Sequence, residues 1–450
     1  MTTAMDGNAA QEYALSLARE HKEEHVDVVF SRSEDLRVMV REGKVEKVDQ
    51  STSMGMGVRV LRDGRTGLAF TERLAPDAID HAFAQARENC GYIDPTEVVM
   101  VDQPLDVPPA ENLALYNPAL DDLPLEELVR AGQEMERRAH AADSRVKSVP
   151  YAMVGRTQHE YTLANSHGVR HTQRANSCGA YCMALLEEGG QLKSGRQAWM
   201  RREWDAEAAA ATSTQAVGKA AALLGARAIH SEKLPVVFTD EVAPQLLGMF
   251  LGSFYGEAAQ KGRSRLKGRL GQQIAGTDIQ LYDDPHMPGA LGSCFVDDEG
   301  TPTARIPLIE DGRFANFLYH VQSARKDGAS STGHATRSIS GGIGTGFHNI
   351  VLPLGTHGMD ALCAMAPRAL LVTELEGGAG CNPVSGDISI GVQGQLLEGG
   401  RRVQPVDSVT IAGNFFELLN NIRAIGDSYQ PNLSNRFIPA LLVDGLSISG

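Results

Sequence analysis

At 450 residues, 42% hydrophobic and 22% charged, the chain has room for two or three domains with sizeable cores. Its 56 acidic against 42 basic residues give a formal charge of −14, which repels a phosphate backbone and argues against dedicated DNA binding. No apolar run approaches the ~20 residues that span a bilayer, no basic-then-apolar leader opens the chain, and six scattered cysteines are no disulfide scaffold. These features lead us to expect a cytoplasmic protein with reduced thiols, no nucleic-acid partner and no membrane partner.

Helical spacing opens the chain over residues 9–21. The period then changes to two: Val26, Val28 and Phe30, then Leu36, Val38 and Val40, read as strands. Glu42-Gly43-Lys44 marks a turn. Val58 to Phe70 reads as a hairpin about Asp63-Gly64, and Pro76 opens a helix that ends at Cys90-Gly91. After a Pro- and Asp-rich connector at about 94–122 the same grammar returns. A helix starts near Pro124, strands follow at Val146–Gly155, Glu160–Asn165, Val169–Asn176 and Gly179–Glu187, and an alanine-rich helix covers 205–229. Helix, hairpins and helix therefore occur twice, which suggests an internal duplication.

From Leu234 the style changes. A short buried-type strand at Pro235–Thr239 precedes a helix predicted over 241–260. Glycine-punctuated strands follow at 291–296, 304–310, 314–319, 369–375, 387–397 and 407–413. A helix at Phe415–Ile425 and a strand at 438–443 close the chain. The expected fold is α+β, with an N-terminal mixed α/β domain over 1–230. Residues 231–450 should form a mainly antiparallel β domain with helices.

The second half carries the distinctive strings. They include Lys261-Gly-Arg-Ser264, Asp283-Asp284-Pro285, Phe295-Val-Asp-Asp-Glu-Gly300, Ser331-Thr-Gly-His334 and the closing Val443–Gly450. The most specific is Gly380-Cys381-Asn382-Pro383-Val384-Ser385-Gly386-Asp387-Ile388-Ser389, followed by Val409-Thr-Ile-Ala-Gly-Asn414. Together they closely resemble the TldD/PmbA family, in its TldE (PmbA) branch. The resemblance implies a zinc peptidase built from two related subunits, of which only one carries the metal.

In that family the catalytic subunit is expected to carry His-Glu-x-x-x-His, in which two imidazoles chelate zinc and the glutamate acts as general base. The matching positions here are Leu247, Gly248 and Gly252, none of which can bind metal or move a proton. No histidine lies between His230 and His286. The late cysteine of the catalytic subunit is also missing from Tyr429–Phe437, and Cys381 belongs to a different string. We therefore expect no catalytic residue, no metal and no cofactor in this chain, with zinc in a partner subunit.

Other candidates are weaker. Asp283, Asp284, Asp297, Asp298 and Glu299 sit where turns are expected, which is the favoured reading; the functional alternative is that they line a subunit contact or anchor a peptide amine. Cys381, Asn382 and Asp387 are candidate contacts for substrate or partner. Ser340–Gly346 lacks the Lys-Ser/Thr ending of a phosphate loop and reads as a glycine-rich loop beside a bound peptide. Lys261–Arg269 is the best candidate for a basic patch, and reads as a solvated turn and helix end. His167 and His171 straddle a turn, and Cys178 with Cys182 read as buried free thiols.

The resemblance thus implies a metal-free subunit of a TldD/TldE-type peptidase in proteolysis and peptide processing. Its partners would be a TldD-type zinc subunit, in a heterodimer, and an extended peptide. The alternatives are a homodimeric peptide-binding or scaffold protein, and a different catalyst centred on Cys381 or Asp297–Glu299. The family's older label, modulator of DNA gyrase, finds no residue-level support.

Overall fold

The structure is a computed structural model that describes residues 5–96, 99–103 and 105–450. Its first half is one antiparallel sheet of β1 (His25–Arg41), β2 (Lys44–Arg62), β3 (Arg65–Thr71), β4 (Val146–Asn165), β5 (Arg170–Glu188) and β6 (Gln191–Arg201). The strand order is β3-β2-β1-β4-β5-β6. Alternate apolar residues put Val26, Val28, Val38 and Val40 of β1 on one face, where they are buried. Four helices cover that face: α1 (Gly7–Glu20), α2 (Pro76–Asn89), α3 (Leu125–Ala142) and α4 (Ala206–Ala221).

Local chemistry sets the helix starts. The Asp6 carboxylate accepts from Ala9 N at 2.7 Å, Pro76 occupies the first turn of α2, and Asp205 accepts from the amides of Glu207 and Ala208. The Asp63-Gly64 turn has both residues at positive φ (50° and 71°), the geometry of a two-residue hairpin. Glu136 of α3 reaches the first hairpin turn, accepting from the amides of Glu42 and Gly43 at 2.7 and 2.6 Å.

The duplication is physical. Each half contributes a helix, three strands and a helix, and the two copies meet where β1 pairs antiparallel with β4. Each copy also puts a glycine under its second helix. A Cβ on Gly67 of β3 would lie 1.8 Å from the Ala86 carbonyl oxygen, and one on Gly195 of β6 would lie 2.1 Å from that of Ala216.

The second half contains β7 (Glu232–Phe238), β8 (Leu281–Asp283), β9 (Ile306–Glu310), β10 (Arg313–Phe314), β11 (Ala335–Thr336), β12 (Gly344–Thr345) and β13 (Ile350–Val351). It continues with β14 (Arg368–Glu376), β15 (Asp387–Glu398), β16 (Arg401–Asn414), β17 (Ile422–Ile425), β18 (Arg436–Phe437) and β19 (Leu441–Ser449). One sheet runs β16-β15-β14-β7-β19-β17, and an extra β16–β19 pairing closes a barrel. A second sheet runs β10-β9-β8-β13-β18. Phe250 and Phe415, stacked at 4.7 Å, sit in a common core with Phe238, Phe254 and Phe314.

Several expectations are corrected. The separate early strands merge into long ones: 26–30 with 36–40 form β1, 146–165 is β4 without a break, and β6 was not anticipated. The helix expected over 241–260 is three short turns, α5 (Ala243–Gly248), a 3₁₀ turn at Leu251–Phe254 and α6 (Gly256–Gln260). Gly248, Gly252 and Gly256 are poor helix formers, and a Cβ on Gly256 would lie 1.9 Å from the Tyr319 ring. The alanine-rich helix stops at Ala221, short of 229, and the helix at Phe415 ends at Asn420, where Asn420 Nδ2 bonds the Ile274 and Phe416 carbonyls. Residues 291–296 and most of 314–319 are irregular, and the last strand runs to Ser449.

The paired glycines yield a test. Gly67→Val and Gly195→Val should each destabilise the protein by ~1–3 kcal/mol or more, because a helix must lift from its strand. Denaturant melts would show both variants lowered. A neutral result at either position would contradict the packing described.

Candidate functional site

Two cavities lie where the sheet meets the barrel domain. The first, about 700 Å³, is lined from the sheet side by Tyr181, Arg196 and Lys219, and from the other by Asp240, Glu241, Glu374 and residues of 430–436. The strip at 430–436 positions this wall. Asn432 Oδ1 accepts from Met200 N at 3.1 Å and its Nδ2 donates to the Ala198 carbonyl at 2.8 Å, fastening the strip to the edge of β6. Its far end is β18, which pairs in parallel with β13. Arg436 thus projects from a strand anchored on both sides. Its guanidinium lies against Gly248, where a Cβ would be 2.7 Å from Nη1, and 5.6 Å from the Phe347 ring centroid.

The second cavity, about 590 Å³, lies between β4 and β5 on one side and the Cys294–Asp298 and His334–His348 segments on the other. Beside it runs a buried ion network. Asp27 of β1 and Arg59 of β2 are register partners, and Arg59 Nε donates to Asp27 Oδ2 at 2.6 Å. Arg59 also meets Glu299 at 3.3 Å, and Arg337 Nη1 donates to Asp27 Oδ1 at 2.7 Å. All four side chains are at most 4% exposed. Burial alone would raise the Asp27 carboxyl, but Arg337 and Arg59 outweigh it and hold it below the usual carboxylate range.

The candidate carboxylates are mostly internal. Asp283 is fully buried and accepts from the amides of His348 (2.7 Å) and Asn349 (2.9 Å), with His334 Nε2 at 3.4 Å. Burial opposes its ionisation, yet His334 and His348 hold it below the ordinary range. Asp284 caps a turn through His286 N. Asp297 accepts from the amides of Glu299, Thr301 and Ala335, and Glu299 accepts from Val321 N. Burial and the Glu299 carboxylate push Asp297 up to about 8. Asp298 accepts from Arg337 N, lines the second cavity with Asp297, and is raised by burial. Turn chemistry therefore accounts for most of these groups.

Cys381 and Asn382 belong to a separate loop between β14 and β15, and Asp387 is the first residue of β15 beside it. Asn382 Oδ1 accepts from the amides of Val384 and Ser385, and Asp387 accepts from Ser385 Oγ and Asn414 Nδ2. Those bonds hold the Asp387 carboxyl low. This loop rests on the turn after Gly252: Ser253 Oγ donates to the Pro383 carbonyl at 3.1 Å, and Arg265 donates to that of Ser385 at 2.9 Å. The two candidate groups are not brought together by any hydrogen bond among the described residues.

The glycine-rich segment is the tip of the β11–β12 hairpin, and its Ile339 carbonyl packs where a Cβ on Gly57 of β2 would be 2.2 Å away. Lys261 pairs with Glu257, so the basic stretch is partly neutralised locally. His167 meets His25 at 2.7 Å, whereas His171 lines the second cavity. Burial raises the Cys178 and Cys182 thiols to about 12, which makes them inert.

Sequence reasoning missed Arg436, Arg337 and the Asp27–Arg59 pair. For the last a signal existed. Each charge interrupts a valine-rich strand, Val26-Asp27-Val28 and Val58-Arg59-Val60, on the face opposite the valines.

Three family domains cover the chain: PmbA/TldA metallopeptidase domain 1 over residues 26–90, the central domain over 118–224, and the C-terminal domain over 231–450. The chain belongs to the PmbA/TldD family. It is similar to metalloprotease PmbA of Escherichia coli O157:H7, 28% identical over 442 residues, or 97% of this chain and 94% of that one. A metalloprotease PmbA homolog of Haemophilus influenzae is 28% identical over 427 residues, 94% and 92% of the two chains. The crystal structure of TldE from Thermococcus kodakarensis matches with a TM-score of 0.84 at 26% identity, covering 98% of this chain and 100% of that one.

The positions that the sequence resemblance sets against the zinc motif, Leu247, Gly248 and Gly252, do not fit a metal. Leu247 is 1% exposed in the core, Gly248 and Gly252 have no side chain, and the nearest charged group to Gly248 is the Arg436 cation. Among the described residues no group of three or more His, Cys, Asp and Glu is arranged to hold a metal ion. No helix among them is long and apolar enough to cross a membrane.

Asp297 supplies a pH test. A carboxyl whose folded pKa lies above its unfolded value of about 4 holds an extra proton in the folded state between the two. Its contribution to stability is therefore present at low pH and lost as pH rises towards about 8. Asp297→Asn should flatten the dependence of unfolding free energy on pH between 5 and 8. An unchanged slope in denaturant melts would refute the raised pKa.

Proposed function

We propose that this chain is the metal-free, TldE/PmbA-like subunit of a TldD/TldE-type zinc peptidase, contributing substrate binding and assembly. The observation that carries the reading is the Arg436 guanidinium seated against Gly248, the position that matches the motif glutamate. A fixed cation there repels a divalent metal and offers no general base. Zinc and base would come from a TldD-type partner.

What remains in this chain is a wide cleft between sheet and barrel, with short strands along one wall. A peptide in extended form can be held there through its backbone, a mode that reads main chain rather than side chains. That suits processing of varied peptides. Family membership and the likeness to TldE support the reading.

The test is cleavage of an unstructured peptide with zinc supplied. The chain purified alone should be inactive, and mixing with a related subunit carrying His-Glu-x-x-x-His should produce hydrolysis. Zinc-dependent cleavage by the pure chain alone would sink the proposal.

A further inference from the structure

We propose that Arg436 receives a carboxylate of the bound peptide, and so sets how the peptide lies in the cleft; this rests on the peptide-binding reading above. Among the described residues the Arg436 side chain makes no hydrogen bond and no ion pair, and its Nε is shut off from water without a partner. A guanidinium stays charged at any physiological pH, and a buried unpaired N–H is unfavourable. The side chain is nevertheless held in place by its neighbours. Ser434 Oγ accepts from Arg436 N at 2.9 Å, and Gly248 leaves the space the guanidinium fills.

The other cations of the cleft are already taken. Arg196 Nε donates to Glu374 at 2.6 Å, and Lys219 pairs with Glu241. Asp240 also lines the cleft, without an ion pair to Arg436, and burial followed by the Glu241 charge raises its carboxyl. Arg436 is therefore the one cation lining the cleft, among the described residues, with no protein anion. A single carboxylate matches it: the guanidinium fork offers two parallel N–H groups to two oxygens. The three acids of the same cleft disfavour a polyanion such as a nucleotide or phosphorylated ligand.

A peptide offers carboxylates from its C-terminus and from Asp or Glu side chains. Three versions of one unstructured, N-terminally labelled peptide separate these sources: unmodified with one internal Glu, C-terminally amidated, and Glu→Gln. Binding to the purified chain is read by fluorescence anisotropy at low salt. One of the two modified peptides should bind about tenfold more weakly than the parent. Arg436→Gln should abolish that difference, and Arg436→Lys, which keeps the charge but loses the fork, should reduce it. Thermal melts of both variants report whether they fold, and Gly248→Ala, which crowds the guanidinium without removing it, serves as an independent third variant expected to weaken the parent peptide. Equal binding of all three peptides would overturn the role of Arg436 while leaving peptide binding intact. No binding of any of them would overturn both.

Discussion

The architecture depends on one buried charge cluster. Asp27 and Arg59 come from neighbouring strands of the N-terminal sheet, and Glu299 and Arg337 come from the barrel domain. None can leave the seam singly. Stranding one charge in a buried site is destabilising by about 3–5 kcal/mol, although exchanging a whole cluster for apolar groups can be neutral. The network is therefore better understood as a device that fixes the angle between the two halves than as a source of stability. Both cavities lie along the same junction, each walled on one side by the sheet and on the other by the barrel domain.

The seam is completed by shape. The tip of the β11–β12 hairpin packs closely on the face of β2 because Gly55 and Gly57 present no side chain to Ile339. Arg337 rides on the same hairpin, so the contact that seats Ile339 also delivers the guanidinium to Asp27. Backbone fit and ion pairing thus reinforce one placement. That agreement of shape and charge is what specifies a unique arrangement.

Much of this fold was legible in the sequence where short-range rules decide. The period-two runs, the Asp63-Gly64 turn and the Pro76 helix start are local, and so was the repeated helix–strand grammar. Errors arose where tertiary packing overrode local pattern. Polar stretches such as Ser31–Asp35 looked like a break in β1, yet they pair continuously with β2 and β4. The pattern at 241–260 is apolar at helical spacing, but three glycines and the need to send Phe250 and Phe254 into the barrel core break it into turns. The site was half legible. The string Gly380–Ser389 was visible as distinctive, and its loop packs on the turn that follows Gly252. Arg436 gave no signal, since a lone arginine reveals nothing until its neighbours are known.

Gly248 and Arg436 make sense only as a pair. A glycine near the end of a helical turn is less favourable than alanine by about 1 kcal/mol, and a guanidinium without an anion is less favourable still. Each weakness is the other's accommodation: any side chain at 248 would displace the cation, and without the cation the gap beside Phe347 would be empty. Together they place one fixed cation in the wall of a wide cleft, on a helical turn that offers no ionisable side chain of its own at 248. A guanidinium held by its neighbours in this way is pre-organised, so a bound anionic group would meet it at a fixed place without first having to order it.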